Sequence, residues 1–509
     1  MSFQIRRVGK TRAKRRFPWE KLPLLLKTAQ PLLHWYRAWK LRRAEEQQNA
    51  NRLTLLKRIL IILFAVLCAL LLLAGTVKAL VELRIISIQS IIATTAAELP
   101  KDEHGFTNIL LLGQGDANHD GKDLTDTVIV ASIDPSKTKS VVLLSLPRDL
   151  YFLKTENMGK GRLNSLYRDY KIDLKRKGTE EKEASLEAMR ELGKEIGSAI
   201  DLPIHHVIKV DFTGFVKAVD AVGGVDVTVP EDIVDTEYPD ENWGIQTFEI
   251  AAGPAHLDGE TALKYVRSRH STSDFSRSAR QQQFIVALGE KVKKDKLYRK
   301  TGTIAEMLRI FEDHVQMTMT LRELIGLADL AESISPSNVI SIQLNDRNAL
   351  YDGYIEAGGF LYTPPRDQFD GAAVLLPVSI PEFPVTWKQI HTLSGFLFVQ
   401  RSTYLTKPQI TVLNAGAKSG LARALGNELT RYGWNVVNVA NASIPKQENS
   451  LLAAQNTENE DSARFFADML QIPIGPLPGN LPAEEAGPVT IILGKGYTFR
   501  PLQNLLPAQ

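Results

Sequence analysis

The pattern of this chain predicts an α/β fold: a sheet with helices packed on its faces, then a second, smaller α/β unit. Three observations carry that reading. Short apolar runs occur at 108–113 (NILLLG), 127–133 (TVIVASI) and 140–146 (SVVLLSL), the last two β-branched, separated by loops of turn-forming residues. Their apolar residues are consecutive rather than alternate, as in strands covered on both faces. Helical periodicity follows over 180–200 and 213–222, with strand-like runs at 206–212 and 225–229. Strands that alternate with helices specify layers.

The elements justify themselves in order. Residues 1–58 hold 16 Lys or Arg against three Glu, a charge of +13 within a chain of net charge +3. The stretch 17–43 interleaves Trp19, Trp35, Tyr36, Trp39 and several leucines with basic residues, which suits a segment lying on an anionic membrane surface. Residues 59–77 are 19 uncharged, apolar residues between Arg58 and Lys78. That is long enough for one transmembrane helix, assigned to 59–80. The positive-inside rule puts 1–58 in the cytoplasm and the rest outside. The same rule and lipid attraction account for the basic charge, so no nucleic acid partner is expected. Residues 81–103 form a linker. The single cysteine, Cys68, lies in the apolar run, so the exterior part must fold without an internal disulfide.

Beyond the linker, 134–139 (DPSKTK) is turn chemistry and joins two strands. Gly223 and Gly224 stop the helix at 213–222. The charged stretch 168–183 is expected to be a solvated insertion. The segment 346–407 lacks a clear pattern, although 372–377 (AAVLLP) suits a strand returning to the first sheet. From Pro408 a strand (ITVLNAG), a helix at 419–431, a strand (WNVVNVAN), a helix at 461–470 and a strand (VTIILG) succeed one another. Residues 447–459 between them are polar and expected to be a loop. This last unit carries no arginine cluster, so it is assigned no chemistry. It is expected to bind peptidoglycan or another envelope component, and a chain ending near Lys407 is expected to remain active.

The most informative chemistry lies at 262–283, ALKYVRSRHSTSDFSRSARQQQ. Arg267, Arg269, Arg277 and Arg280 crowd a short segment between two apolar runs. Guanidinium groups so close repel one another unless an anion lies between them, and their planar forks match phosphate oxygens. Further polar groups fall at strand ends, where open α/β sheets bind ligands: Asp116 and Asp126 in GQGDANHDGKDLTDT, Arg148 and Asp149 in LPRD, Arg162 and Asn164 in GRLNSLY. Carboxylates beside arginines suit an anionic ligand only when a cation such as Mg²⁺ bridges the two. His205 and His206 have no third ligand nearby in sequence and are expected to be structural.

The ordered set NILLLGQGD, LTDTVIVASIDP, SLPRDLY, GRLNSLY, VDFTGF, AVGGVDVTV, LDGETALKYVRSRH and SDFSRSARQQQ resembles the LytR-CpsA-Psr family of cell-envelope phosphotransferases. The resemblance covers about 108–283. VLNAGAKSGLARALGNEL and VTIILGKG resemble the C-terminal domain often attached to such proteins. The resemblance implies a three-layer α/β/α sandwich with a mixed sheet over 104–400, a small domain over 408–497 and a tail at 498–509. It implies transfer of a glycopolymer from a polyprenyl-pyrophosphate carrier to peptidoglycan, by an enzyme held in the cell membrane. Arg148, Arg162, Arg267, Arg269, Arg277 and Gln281 would meet the pyrophosphate, and Asp116 and Asp126 would hold Mg²⁺ or Mn²⁺. Asp116, Asp126, Arg148 and Arg267 would carry catalysis. Where the family usually has serine and arginine after its first aspartate, this chain has Ala117 and Asn118, so Asp120 and Asp123 compete with Asp116. Asp116 and Asp149 are both candidates for the base that takes the acceptor's proton. Two other functions fit the same residues: a lipid pyrophosphatase, with water as acceptor, and a non-enzymatic envelope scaffold or transcriptional attenuator.

Overall fold

The computed structural model describes residues 98–505, apart from 117–122, 240–243, 269–273, 296–309, 311–313, 321, 324–326, 328–333 and 351–352. The basic segment, the apolar run at 59–80 and most of the linker therefore lie outside the described residues. Among the described residues, no helix is long and apolar enough to cross a membrane.

The three apolar runs form β1 (Thr107–Gln114), β2 (Thr125–Asp134) and β3 (Ser140–Leu146). After them come α1 (Leu163–Arg176), α2 (Glu181–Ile200), β4 (His206–Asp211) and α3 (Phe212–Ala221). A peripheral group follows: β5 (Val225–Val229), β6 (Ile233–Pro239), β7 (Ile245–Ile250) and β8 (Gly253–Leu257). Then come α4 (Gly259–Arg267), α5 (Asp274–Lys294), β9 (Val315–Met317) and β10 (Val339–Gln343). Six of these strands make one sheet in the order β9-β4-β1-β2-β3-β10. It is mixed: β1 runs parallel to β4 and antiparallel to β2, while β10 runs parallel to β3.

Successive residues of a strand point to opposite faces, and here both faces are buried. Leu110, Leu112, Val128, Val130, Val142 and Leu144 pack toward Leu166, Met189 and Leu192 of α1 and α2. Ile109, Leu111, Ile129 and Leu143 pack toward Phe215, Val266 and Phe284 of α3, α4 and α5. The absence of alternation in the sequence thus reports a sheet between two helical layers.

Three local expectations are refined or change. The charged stretch at 168–183 is mostly solvated, as expected, but it is helical, the tip of the hairpin of α1 and α2, and within it Lys171 is buried and bonded to Asp123 at 2.9–3.0 Å. Residues 372–377 do not enter the sheet; Leu376–Pro377 pairs with Leu361–Tyr362, and β10 takes the sheet edge. Residues 447–459 are not all loop, because Leu451–Ala454 is a strand.

The chain then forms α6 (Lys388–Ser394), α7 (Arg401–Thr406), β11 (Ile410–Asn414), α8 (Leu421–Arg431), β12 (Val436–Asn441), β13 (Leu451–Ala454), α9 (Glu460–Leu470) and β14 (Val489–Leu493). The second sheet has the order β12-β11-β14-β13. It is not a loose appendage. One cluster of buried side chains runs from Leu110 and Val142 through Phe360, Phe396 and Tyr404 to Tyr432, Trp434 and Phe466. Phe360 and Phe396 lie 4.9 and 5.7 Å from the Tyr432 ring, and Tyr404 stacks on Trp434 at 5.7 Å. Gly433 has φ +90, in the left-handed region that favours glycine, and a Cβ there would come within 2.6 Å of the Ile342 side-chain tip in β10, which would have to shift. The tail closes the join: Gln503 donates to Glu382 at 2.8 Å and receives Gln389 at 2.8 Å. The unpatterned segment 346–407 is the seam between the two sheets.

Candidate functional site

Strand order brings the polar residues to one end of the sheet. β1 leaves the sheet beside the start of β2, with Gln114 opposite Thr125, so Asp116 and Asp126 converge. Both are buried, at 8% and 4% exposure. Asp116 accepts from the backbone N–H and hydroxyl of Thr213, at the start of α3, at 3.0 and 3.1 Å. Asp126 accepts from Asn164 Nδ2 at 2.9 Å, and Arg148 Nη1 lies 3.4 Å away. Arg148 stands two residues past β3. Asp149 bridges Arg148 at 3.5 Å and Arg162 at 3.1 Å.

The arginine segment is divided by the fold. Arg267 ends α4 and is buried, its guanidinium 4.8 Å from the Phe212 ring and 5.3 Å from the Tyr238 ring. Burial lowers its pKa, opposed by Tyr238, Asp126 and Asp116. It therefore sits in an aromatic sleeve within electrostatic reach of both carboxylates, where cation–π attraction orients it. Tyr238 comes from the β6–β7 hairpin, whose Asp235 also holds the Ser268 hydroxyl at 2.9 Å. Arg280 is spent on the end of α4: its Nε donates to the Tyr265 carbonyl at 2.9 Å, and it also reaches the Ser268 carbonyl. Arg269 lies outside the described residues, as does Asp120.

Asp126, Arg148, Arg277 and Gln281 line one cavity of about 280 Å³, together with Asp149, Ser145, Gln343, Asp346 and Thr363. Arg277 and Gln281 are presented by α5, one turn apart. The neighbouring Gln282 ties that helix to β3 through Ser145 Oγ at 3.0 Å. Sequence reasoning gave Asp346 and Thr363 no role. They belong to the seam, where no motif or periodicity marks them. The competing Asp123 is held by Lys171. His205 accepts from the Asn108 N–H at 2.9 Å, and His206 lies 3.7 Å from Glu323.

The oxygen chemistry around Asp126 fits a hard cation. Asn164 Oδ1 and Thr127 Oγ1 are buried with no hydrogen-bond partner among the described residues. No group of three His, Cys, Asp or Glu comes together among those residues, but Mg²⁺ typically uses one or two carboxylates and completes its shell with water and phosphate.

Beneath the site, Lys209 of β4 is fully buried. Its Nζ donates to Gln114 Oε1 at 2.8 Å and to the Tyr167 hydroxyl at 2.7 Å. Burial pushes its pKa from 10.5 down to about 7. Between those values the unfolded chain binds a proton that the folded chain does not, so stability rises with pH across the window. The burial penalty is present in full below pH 7. The urea midpoint is expected to climb from pH 7 to pH 10, and Lys209→Met to flatten that climb by on the order of a few kcal/mol. Equal slopes in the two proteins would show that Lys209 is charged at neutral pH.

A mixed sheet carrying arginines and carboxylates at its strand ends defines an α/β protein built to hold an anion. The LytR_cpsA_psr family model matches residues 86–362, more than half of the chain, and the chain belongs to that family. A second model, LytR cell envelope-related transcriptional attenuator, matches residues 407–497. Among curated relatives, the Corynebacterium glutamicum cell wall biosynthesis protein LcpA is 26% identical over 392 residues, covering 70% of this chain and 67% of that protein. The Bacillus cereus polyisoprenyl-teichoic acid–peptidoglycan teichoic acid transferase TagU is 30% identical over 222 residues, covering 43% of this chain and 63% of that protein. The Bacillus subtilis transferase TagV is 28% identical over 242 residues, covering 47% and 56%. The chain thus spans two thirds or less of the length of these relatives. The crystal structure of B. subtilis TagV matches at 22% identity and a TM-score of 0.39, over 58% of this chain and 97% of that one.

Proposed function

We propose that this protein is a membrane-anchored phosphotransferase that moves a glycopolymer from a polyprenyl-pyrophosphate carrier onto peptidoglycan through a phosphodiester. The observation that carries the reading is the cavity where Arg148, Arg277 and Gln281 meet Asp126, in a chain whose family includes enzymes named as teichoic acid transferases. Arg148, Arg277 and Gln281 bind the pyrophosphate oxygens, with Arg162 reaching the site through Asp149; Arg269, outside the described residues, is assigned to the same anion by the family resemblance. Arg267 aligns the carboxylates and offsets developing negative charge. Phosphoryl transfer asks for positioning and charge neutralisation more than for a covalent nucleophile. Asp116 and Asp126, with the oxygens of Asn164 and Thr127, would hold Mg²⁺ or Mn²⁺. The bound cation would neutralise phosphate charge and let the anion approach the carboxylates. The helix at 59–80 keeps the site outside the membrane and close to its lipid substrate, with 1–58 in the cytoplasm and against its lipids.

Purified full-length protein in detergent, given a polyprenyl-pyrophosphate-linked glycopolymer and peptidoglycan, is expected to release polyprenyl phosphate and form a glycopolymer–peptidoglycan conjugate. Free phosphosugar without conjugate would make the protein a pyrophosphatase instead, and no turnover would point to a scaffold. Transfer is expected to stop in excess chelator and return with Mg²⁺ or Mn²⁺. Asp126→Asn is expected to lower the rate about 100-fold or more, the scale of one preorganised electrostatic group. Full activity in chelator would remove the metal from the scheme.

A further inference from the structure

A transferase must bind a second substrate, and the sequence left the proton acceptor open between Asp116 and Asp149. The structure commits both to other roles. Asp116 accepts two hydrogen bonds from Thr213 and is the proposed cation ligand, and Asp149 is bridged by Arg148 and Arg162. A third carboxylate, Asp346, lines the same cavity as Arg148, Arg277 and Gln281.

Its placement is built. β10 runs parallel to β3 with Gln343 opposite Ser145, so both strands leave the sheet at the same end. Asp346 therefore arrives beside the turn that carries Arg148. Two buried asparagines staple the loop on either side of it. Asn345 Nδ2 donates to the carbonyls of Gln343 and Ala357 at 3.0 and 2.7 Å, and Asn348 Nδ2 donates to the Leu361 carbonyl at 2.7 Å. The Asp346 carboxylate takes no part in the stapling. Among the described residues it accepts one long hydrogen bond, from Thr363 Oγ1 at 3.4 Å.

A carboxylate in an arginine-lined cavity ordinarily closes an ion pair. Asp346 instead remains open to a neutral donor, and it would repel an anion. The donor it suits is a hydroxyl. Resting on the transferase reading above, we propose that Asp346 and Thr363 form the acceptor subsite and that Asp346 is the general base toward a sugar hydroxyl. The hydroxyl oxygen bonds to the phosphorus that carries the glycopolymer, and its proton passes to Asp346. The bond from that phosphorus to the bridging oxygen breaks, and polyprenyl phosphate leaves with the electron pair. The deprotonated carboxylate returns when the proton is lost to water. Arg148 and Arg277 hold the donor while Asp346 aligns the acceptor, so one cavity serves both substrates.

The test separates donor from acceptor in the full-length protein. Asp346→Asn is expected to lower kcat about 100-fold or more, the usual range for a general base, while binding of the polyprenyl-pyrophosphate donor stays within twofold of wild type. Asp346→Glu, which keeps the carboxylate, is expected to recover at least a tenth of the wild-type rate and also guards against a folding defect in the asparagine variant. Thr363→Val is expected to raise KM for the acceptor severalfold and leave kcat nearly unchanged. Near-wild-type kcat in Asp346→Asn, or donor binding lost in parallel with turnover, overturns the subsite. Failure of the transferase reading looks different: wild-type protein would form no conjugate at all, and Arg277→Ala would bind donor normally.

Discussion

Arg267→Ala is expected to lower the transfer rate about 10²- to 10³-fold, the effect of deleting one preorganised donor from a dry site. The size follows from where the guanidinium sits. It is held between the Phe212 and Tyr238 rings, where the charges of Asp116 and Asp126 act on it. Low exposure strengthens each of those interactions. Alanine leaves Asp116 and Asp126 with one opposing charge fewer and removes a guanidinium that offsets negative charge at the proposed site. Arg267→Lys keeps the charge but not the planar fork, and a point charge does not fill an aromatic sleeve in the same way. It is expected to lose at least about tenfold, on the order of one charge-assisted hydrogen bond. Initial rates on purified, cooperatively melting variants check both. Rates within threefold of wild type in Arg267→Ala would remove this residue from the mechanism.

A chain cut after Lys407 is expected not to fold, in contrast to the independence its sequence suggests. Phe360, Phe396, Tyr404 and Ile342 all pack against residues beyond the cut. Exposing four such side chains costs about 1.5–3 kcal/mol each, on the order of 6–12 in total. That rivals the roughly 5–15 kcal/mol by which proteins are stable at all. The missing segment also supplies the backbone partner of Gly358, the Arg431 carbonyl at 2.7 Å. Limited proteolysis and thermal melting of the truncated protein decide the matter. A sharp melt close to that of the intact domain would show that the two sheets are independent after all.

Much of the scaffold was readable because local sequence determined it. The runs at 108–113, 127–133 and 140–146 form strands in any context that buries both faces, and Gly223 and Gly224 end α3 with φ of 80 and 78. β10 was not readable. Its five residues become a strand because Val141–Ser145 lies alongside them, a partner far away in sequence. The helical hairpin at 168–183 was masked by its own charge, since Lys171 is buried only because Asp123 and Glu181 meet it. The site divides in the same way. Asp126, Arg148, Arg277 and Gln281 stand in recognisable motifs and share a cavity. Asp346 stands in none, and only the parallel pairing of β10 with β3 brings it there. Arg280 shows the opposite failure: a member of the arginine cluster whose guanidinium is consumed in capping a helix end.

The join at Gly433 also sets a timetable. A protein made from its N-terminus normally completes one domain before the next appears. Here Ile342, on an edge strand of the first sheet, finds its neighbour only when Gly433 arrives, and Gln389 finds its partner only with Gln503. Until those residues are made, the edge strand carrying Ile342 and the amide of Gln389 lack these neighbours, so the first core is completed late in synthesis rather than domain by domain.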